Sequence, residues 1–391
     1  MENVTLEYAV STALDACNAV GSVETALADV YGLVVAENVR AGRSVPPFDR
    51  SPFDGYAFIA ADSTKTPATL KVLGESSAGG AARFEVTHGT AVKILTGAPI
   101  PKGADVVVKF EDTQFTADSV TLLQAYPPGN IVPTGEDVRA GDVIAAPGER
   151  INPAVAGMLA AQGIERVRVF RRPVVGVIST GNELGGGSAS KIFDSNRHSL
   201  SAAVEAAGAS AHFLGTAGDS AASIADLAGN RACDMLISTG GMGKSDHDFT
   251  LSAFKGLGAV TLIRNGDFMP GGTFALCVLE GVPCFLLSGN PASAMVTFYT
   301  LIQPCIRKLA GLRDCENRKI KAVLEDGYAK SSPRTRLLTS KLFYREATAF
   351  LKITERGKGT VSALNGINAI AVVPQGSEPI AAGSVVEAYL V

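Results

Sequence analysis

DMLISTGGMGKSDHD (234–248) is a short apolar run that stops in glycines, and VPCFLLSGNPAS (282–293) repeats the arrangement further along the chain. A strand that runs into a glycine loop and then a helix belongs at the carboxyl edge of a parallel α/β sheet. There, backbone N–H groups and helix N-termini can hold phosphate. Two such loops imply one anionic site.

The segment around these loops alternates in the same way from about residue 173 to 310. Residues 173 to 179, PVVGVIS, form a near-continuous apolar strand, an amphipathic helix follows from about Ser195 to Ala207, a strand lies near 212 to 215, and a helix covers about 220 to 229. Buried β-branched strands separated by helices indicate a doubly wound parallel sheet. Upstream, residues 5 to 36 suggest two helical stretches broken at Gly21, with Ser22 capping the second. Prolines 46, 47 and 52 mark an extended loop, after which short apolar runs between 56 and 146 alternate with Gly/Pro turns, the pattern of a small β domain. Asn152-Pro153 opens a helix that Gly163 closes and that is expected to pack on the N-terminal helices. Beyond about Asp314, runs at 319 to 324, 335 to 343, 369 to 374 and 385 to 390 suggest a terminal β domain.

Composition narrows the partner. The chain has 391 residues, 46% of them apolar, and a formal net charge of -3, so it can bury several cores and offers no basic surface for nucleic acid. Six cysteines sit mostly in apolar runs without metal-site spacing, which suits buried thiols in a reducing cytoplasm. The N-terminus lacks the marks of a signal segment, and no apolar stretch is long enough for a membrane span. A cytoplasmic protein acting on a small molecule is expected.

Carboxylates collect at the expected sheet edge: Glu183 in TGNEL after the first strand, Gly218-Asp219 after the second, and Asp246 and Asp248 at the end of the first glycine loop. Acidic residues beside phosphate-cradling loops suit a hard divalent cation, with Mg²⁺ the best fit; singly, each could equally be a helix cap. Other chemistries fit less well. Gly240-Gly241-Met242-Gly243 lacks the G-x-G-x-x-G spacing of a dinucleotide site, and Gly243-Lys244-Ser245 matches only the tail of a phosphate-loop signature. The four histidines have no zinc-site spacing, and Ser288 lacks the flanks of a nucleophile elbow.

Taken in order, the motifs resemble the molybdopterin molybdenumtransferase family, the MoeA and gephyrin E-domain type, over nearly the whole chain. They are PPFDRSPFDGYA (46–57), KILTGAPIPKGADVVVKFEDT (93–113), GEDVRAGDVI (135–144), VISTGNEL (177–184), FDSNRHSL (193–200), STGGMGKSDHDF (238–249) and LSGNPASA (287–294). The resemblance implies a central three-layer, MogA-like α/β domain (173–314). It also implies a helical N-terminal lever (1–45 with 140–172), a β-rich inserted domain (46–139) and a C-terminal β-barrel domain (315–391). An elongated homodimer is implied, with possible transient contact with the pterin adenylyltransferase. The implied reaction is Mg²⁺-assisted insertion of molybdate into adenylylated molybdopterin with release of AMP. The family's functional carboxylates map onto Asp54, Asp137, Glu183, Asp219 and Asp248, its motif threonine onto Thr96, and its metal ligands onto Glu183, Asp219 and Asp248. Thr180, Gly181, Asn196, Thr239, Gly240, Gly241, Ser245, Ser288, Gly289, Asn290, Pro291, Ser293 and Arg336 would hold the pterin and its phosphate.

The chain departs from the family where an oxyanion should bind. The family's K-P-G-K-P reads Met269-Pro270-Gly271-Gly272-Thr273, and Ile131 is followed by Val132-Pro133-Thr134 in place of arginines. The family's G-R-x-x-F-x-R region reads Thr335-Arg336-Leu337-Leu338-Thr339-Ser340-Lys341, leaving Arg336 and Lys341. Losing fixed cations beside a dianion in a dry site costs binding energy, so pterin binding is better supported than metal insertion. The rival readings are a non-catalytic paralogue that carries or senses the pterin, and a scaffold that kept the fold alone.

Overall fold

The computed structural model describes residues 1–80, 83–185, 191–229, 232–242, 248–354 and 361–391. Its central sheet has seven strands in the order Glu2–Val4, Val260–Gly266, Phe274–Leu279, Val282–Leu287, Met235–Thr239, Val174–Thr180, Ser210–Ala217. The last four are mutually parallel, the inner three nearly continuous apolar runs buried along their length and Ser210–Ala217 a more polar strand at the sheet's edge. Phe274–Leu279 is antiparallel to Val282–Leu287. Only Glu280 and Gly281 connect them, with φ of 51° and 83°, and a two-residue turn with both φ positive can only make a hairpin. The sheet is therefore mixed at one side.

That side is finished by the start of the chain. Glu2–Val4 pairs in parallel with Val260–Gly266, and the helix Leu6–Asp15 follows, capped by Thr5, whose side chain accepts from the Tyr8 N–H. Its Leu6, Ala9 and Ala13 are buried, the spacing of one helical face, and they enter the core with Phe274, Phe285 and Phe298. The second helix expected from Ser22 is not formed. Ser22–Ala26 is a strand antiparallel to Arg166–Phe170, which also pairs with Val34–Val35. A partner more than a hundred residues away in sequence, read from the register Ser22↔Phe170, overrides a local pattern that Val23 and Thr25 already weaken. The lever is thus mainly strands. The helix Pro153–Ala161 does form, with the Asn152 side chain accepting from Val155 N–H. It packs on Leu27, Leu33 and Ile144 and shares no core with Leu6–Asp15.

The inserted part is a six-stranded sheet around Tyr56, Phe58, Leu70, Val106 and Val120. In the C-terminal part, Thr335–Arg345 pairs with both Thr348–Ile353 and Ala369–Val373, closing a ring that also contains Lys319–Leu324 and Val385–Leu390. Thr348–Ile353 adds a strand to those expected from the sequence; its TAFLKI run is short, and Glu346, with φ of 54°, turns the chain into it. Barrel and α/β domain are joined through their interiors, since Leu337, Ile370 and Tyr389 lie in the central core. Among the described residues, no helix is long and apolar enough to cross a membrane, and no two of the six cysteines are joined.

Candidate functional site

The carboxyl ends of the four parallel strands lie level, with Thr180 opposite Ala217, Ser179 opposite Thr239, and Thr239 opposite Leu287. Everything that follows these residues in sequence shares one edge. The chain leaves Val174–Thr180 outward to Ser210–Ala217 and then returns to its other side at Met235–Thr239, so the direction of winding reverses there, where such sheets bind ligands.

The first loop can only be built with glycine. Gly240 has φ of 98°, and a Cβ there would stand 2.1 Å from the Thr180 carbonyl oxygen. Gly241 has φ of 64°, and its Cβ would stand 2.4 Å from Thr250 Oγ1. Thr180 Oγ1 donates to Thr239 O at 3.1 Å, and Thr250 Oγ1 donates to Gly240 O at 3.0 Å, which fixes the turn from both sides. The second loop is joined to it: Gly240 N–H donates to Leu287 O at 3.0 Å. Asn196 completes the join, its Nδ2 donating to Thr239 Oγ1 at 2.9 Å and to Gly289 O at 3.0 Å. Thr239 Oγ1 in turn donates to Ser288 O at 3.2 Å. Asn290 caps the following helix by accepting from Ser293 N–H at 3.0 Å, and Pro291 fills the first turn. Thr180, Asn196, Thr239, Gly240, Gly241, Ser288, Gly289, Asn290, Pro291 and Ser293 are thereby gathered at one place. Ser245, with Lys244, Asp246 and His247, lies outside the described residues.

The carboxylates divide into two groups. Asn182 N–H donates to Asp219 Oδ2 and Asp219 N–H donates to Asn182 Oδ1, both at 3.2 Å. Glu183 folds its carboxylate over Gly181, where a Cβ would come within 2.4 Å of it. Glu183 and Asp219 therefore share a corner at adjacent strand ends. Asp248 does not join them. It caps the helix Phe249–Gly256 by accepting from Leu251 N–H at 3.2 Å, and its Oδ2 takes Arg264 Nη2 at 3.4 Å. Burial raises its pKa, with Leu251 N–H and the charges of Arg264 and Lys255 opposing. Among the described residues no three His, Cys, Asp or Glu side chains converge on a metal position, so the expected trio is not assembled. Two carboxylates left open to solvent still fit Mg²⁺, which commonly takes one or two protein carboxylates and completes its shell from water and substrate phosphate.

Asp248 lies on a cleft of about 450 Å³ that also takes in Met242, Arg264, Met269, Gly272, Ser293 and Arg334. Here one of the two absent lysines, at Gly272, acquires a physical reason, while nothing in the structure accounts for the other, at the exposed Met269. A Cβ at Gly272 would be 2.1 Å from Phe268 O and 2.5 Å from Gly266 O, so this backbone admits no side chain there. Arg264 and Arg334 bring guanidinium groups to the same cleft, and the sequence reading missed both. Arg264 was visible only as a charge in an otherwise apolar strand, and Arg334 as a cation beside Pro333. Arg264 pairs with Asp248, and Arg334 Nε with Asp267 at 3.1 Å. Arg336 lies opposite Met269 in the strand register, and its Nε is buried without a hydrogen-bond partner among the described residues, an orphan donor suited to an anion. Lys341 is exposed and faces Lys352 in the barrel.

Asp54 and Thr96 form a separate pair, and Asp137 is held nearby in the chain fold through Val45. Thr96 N–H and Oγ1 both donate to Asp54 Oδ1, at 2.7 and 2.8 Å, and the backbone bond chiefly holds the Asp54 carboxyl below its usual range. Arg50 bridges to Pro99 and Val132, and Asp137 N–H donates to Val45 O. The three motifs at 46–57, 93–113 and 135–144 thus meet on one loop face. No recorded contact ties that face to the glycine loops among the described residues.

Residues 4–163 match the family described as "MoeA N-terminal region (domain I and II)", and residues 176–308 match "Probable molybdopterin binding domain". A Staphylococcus epidermidis protein named molybdopterin molybdenumtransferase is 30% identical over 383 residues, spanning 95% of this chain and 91% of that protein. A Bacillus subtilis protein of the same name is 33% identical over 384 residues, spanning 94% and 89%. A solved structure of the molybdopterin biosynthesis MoeA protein from Pyrococcus horikoshii has a TM-score of 0.85 at 30% identity and covers both chains fully, 100% of each. Because the likeness runs through lever, insert, α/β domain and barrel alike, the chain belongs to the molybdopterin molybdenumtransferase family.

Proposed function

We propose that this chain inserts molybdate into adenylylated molybdopterin with release of AMP, in a Mg²⁺-dependent reaction carried out by a cytoplasmic homodimer. The observation that carries this reading is the joining of the two glycine loops by Asn196. It fixes the two glycine turns against each other at one strand edge, the kind of turn at which backbone amides take a phosphate. Thr180, Thr239 and Ser288 hold the cradle's shape, and rigid donors stabilise developing negative charge without reorganising. Glu183 and Asp219 are the residues that would hold Mg²⁺, which when bound supplies positive charge to the pyrophosphate oxygens. Asp248, on the cleft with Met269 and Ser293, pairs with Arg264 there. Arg264, Arg334 and Arg336 take the place of the family's lysines as cations for the oxyanion. Transient contact with the adenylyltransferase that supplies the pterin belongs to the same reading.

The test is direct. Purified chain given adenylylated molybdopterin, Mg²⁺ and molybdate should release AMP and yield metallated cofactor. Tight pterin binding with no AMP release would refute insertion. Elution at the monomer mass in light-scattering chromatography would refute the dimer.

A further inference from the structure

A second cleft, of about 700 Å³, lies between the loop at 148–150, Arg307 near the end of the helix Gln303–Leu309, and the segment 312–318. Arg150, Arg307, Arg313 and Arg318 line it. Every hydrogen bond recorded for these guanidinium groups goes to a neutral oxygen. Arg150 Nη1 donates to Gly32 O at 3.1 Å and Arg313 Nη2 to Pro147 O at 2.8 Å. Arg307 Nη1 donates to Asn317 Oδ1 at 3.1 Å and to Glu316 O at 3.4 Å. Among the described residues, ion pairs hold Arg166, Arg168, Arg171, Arg264, Arg334 and Arg345 but none of these four.

The charges are close enough to oppose one another. Burial lowers the pKa of Arg307, and Arg150 and Arg318 lower it further. The wall that carries Arg313 is also tightly set. Arg313 N–H donates to Gly148 O at 3.1 Å, and Gly148, with φ of 87°, could not gain a Cβ without meeting Arg313 Cβ at 2.9 Å. Guanidinium groups held in place by neutral oxygens and engaged in no ion pair among the described residues are preorganised for an anion, for which their forked donors suit phosphate. Glu149, Asp314 and Glu316 also line the cleft and are exposed. Glu149 Oε2 is engaged by Ala146 N–H at 3.1 Å. These carboxylates offset the formal charge of the lining, so the cleft draws no polyanion from a distance, while its near field favours a compact one.

We propose that this cleft binds a small phosphate-bearing anion, a free pyrophosphate or a nucleoside monophosphate, at a site separate from the glycine loops. No lining residue belongs to those loops, and the volume is within the range of small-molecule sites. Hydrogen exchange of the full chain, with inorganic pyrophosphate, AMP or adenosine added in turn, tests it. Pyrophosphate should slow exchange across 147–152 and 307–318, and adenosine should not. Protection by AMP as well would identify a nucleotide as the occupant, whereas protection by pyrophosphate alone would identify the free anion. Arg318→Gln removes a side chain with no recorded hydrogen bond. It should weaken this protection about tenfold, the worth of one charged hydrogen bond, and leave protection at 238–242 and 287–293 unchanged. Equal protection in Arg318→Gln, protection confined to the glycine loops, or an equal effect of adenosine would overturn the proposal. None of these readouts depends on cofactor synthesis.

Discussion

Asp248 and Gly272 show how single residues limit what the site can do. Asp248 is both a helix cap and the partner of Arg264. Asparagine caps as well as aspartate, so Asp248→Asn should keep the fold and lose the charge. AMP release should fall about a hundredfold, the order seen when one fixed polar group is lost from a preorganised site. Because burial raises the pKa of Asp248, ionising it in the folded state costs stability, and its contribution falls as pH rises through that raised value. Asp248→Asn should therefore gain stability over the parent as pH rises, and urea unfolding at about pH 3, below the ordinary carboxylate pKa of about 3.9, and at about pH 7 would show it; a constant difference would refute the assignment. At Gly272, Lys cannot be restored without moving Phe268 O and Gly266 O. Gly272→Lys should destabilise by about 1–3 kcal/mol, as overpacking does, without improving molybdate affinity. Met269 is 46% exposed, and Met269→Lys should tighten molybdate binding about tenfold by adding a charged hydrogen bond. Titration of both variants against molybdate decides.

At the scale of elements, the site depends on strand ends being level, and a contact at the opposite edge helps keep them so. Arg171 Nη1 and Nη2 donate to the two Asp234 oxygens at 2.7 and 2.5 Å, and Val174 N–H donates to Asp234 Oδ2 at 2.8 Å. Asp234 thus ties the starts of Val174–Thr180 and Met235–Thr239, whose far ends carry Thr180 and Gly240. Burial would raise its pKa, but Arg171 and Val174 N–H outweigh burial and the net shift is downward. Its stabilisation is therefore present above the unfolded carboxylate pKa of about 3.9 and is lost as pH falls through the lower folded value. Asp234→Asn should cost about 1.5–3 kcal/mol at pH 7, the worth of hydrogen bonds to a charged group, with the difference shrinking toward pH 3 in denaturant titrations. The strands here were legible in the sequence because burial on both faces writes a continuous apolar run. Ser22–Ala26 was not, because its partner Arg166–Phe170 is remote in sequence. Likewise the glycine loops could be read, since φ above zero admits few other residues, whereas Arg264 on its strand and Arg334 just before the strand Thr335–Arg345 reach the cleft only through tertiary pairing.

At the scale of the molecule, the parts are unequally dependent on one another. The inserted sheet keeps its own interior: Tyr56, Phe58, Leu70, Val106, Val120 and Leu122 pack together, as do Ala57, Ile94, Ala98 and Val107, with no residue from outside the segment. Arg50 and Val132 face each other across an antiparallel bridge at its root. Replacing residues 51–131 by a short glycine linker therefore closes a gap already spanned, and should leave the main calorimetric transition within a few degrees of the parent's. The barrel is different. Leu337, Ile370 and Tyr389 are buried in the same core as Phe268 and Phe274, and Thr335 and Arg336 pair with Phe268 and Met269 beside the cleft of Asp248 and Arg264. Ending the chain at residue 314 would uncover that surface. At about 1.5–3 kcal/mol for each large apolar side chain, three such losses approach the roughly 5–15 kcal/mol that holds a typical domain together. The truncated chain should lose its cooperative transition and aggregate. A soluble 1–314 fragment with the parent's melting temperature, or collapse of the 51–131 deletion, would show that the cores are not divided in this way.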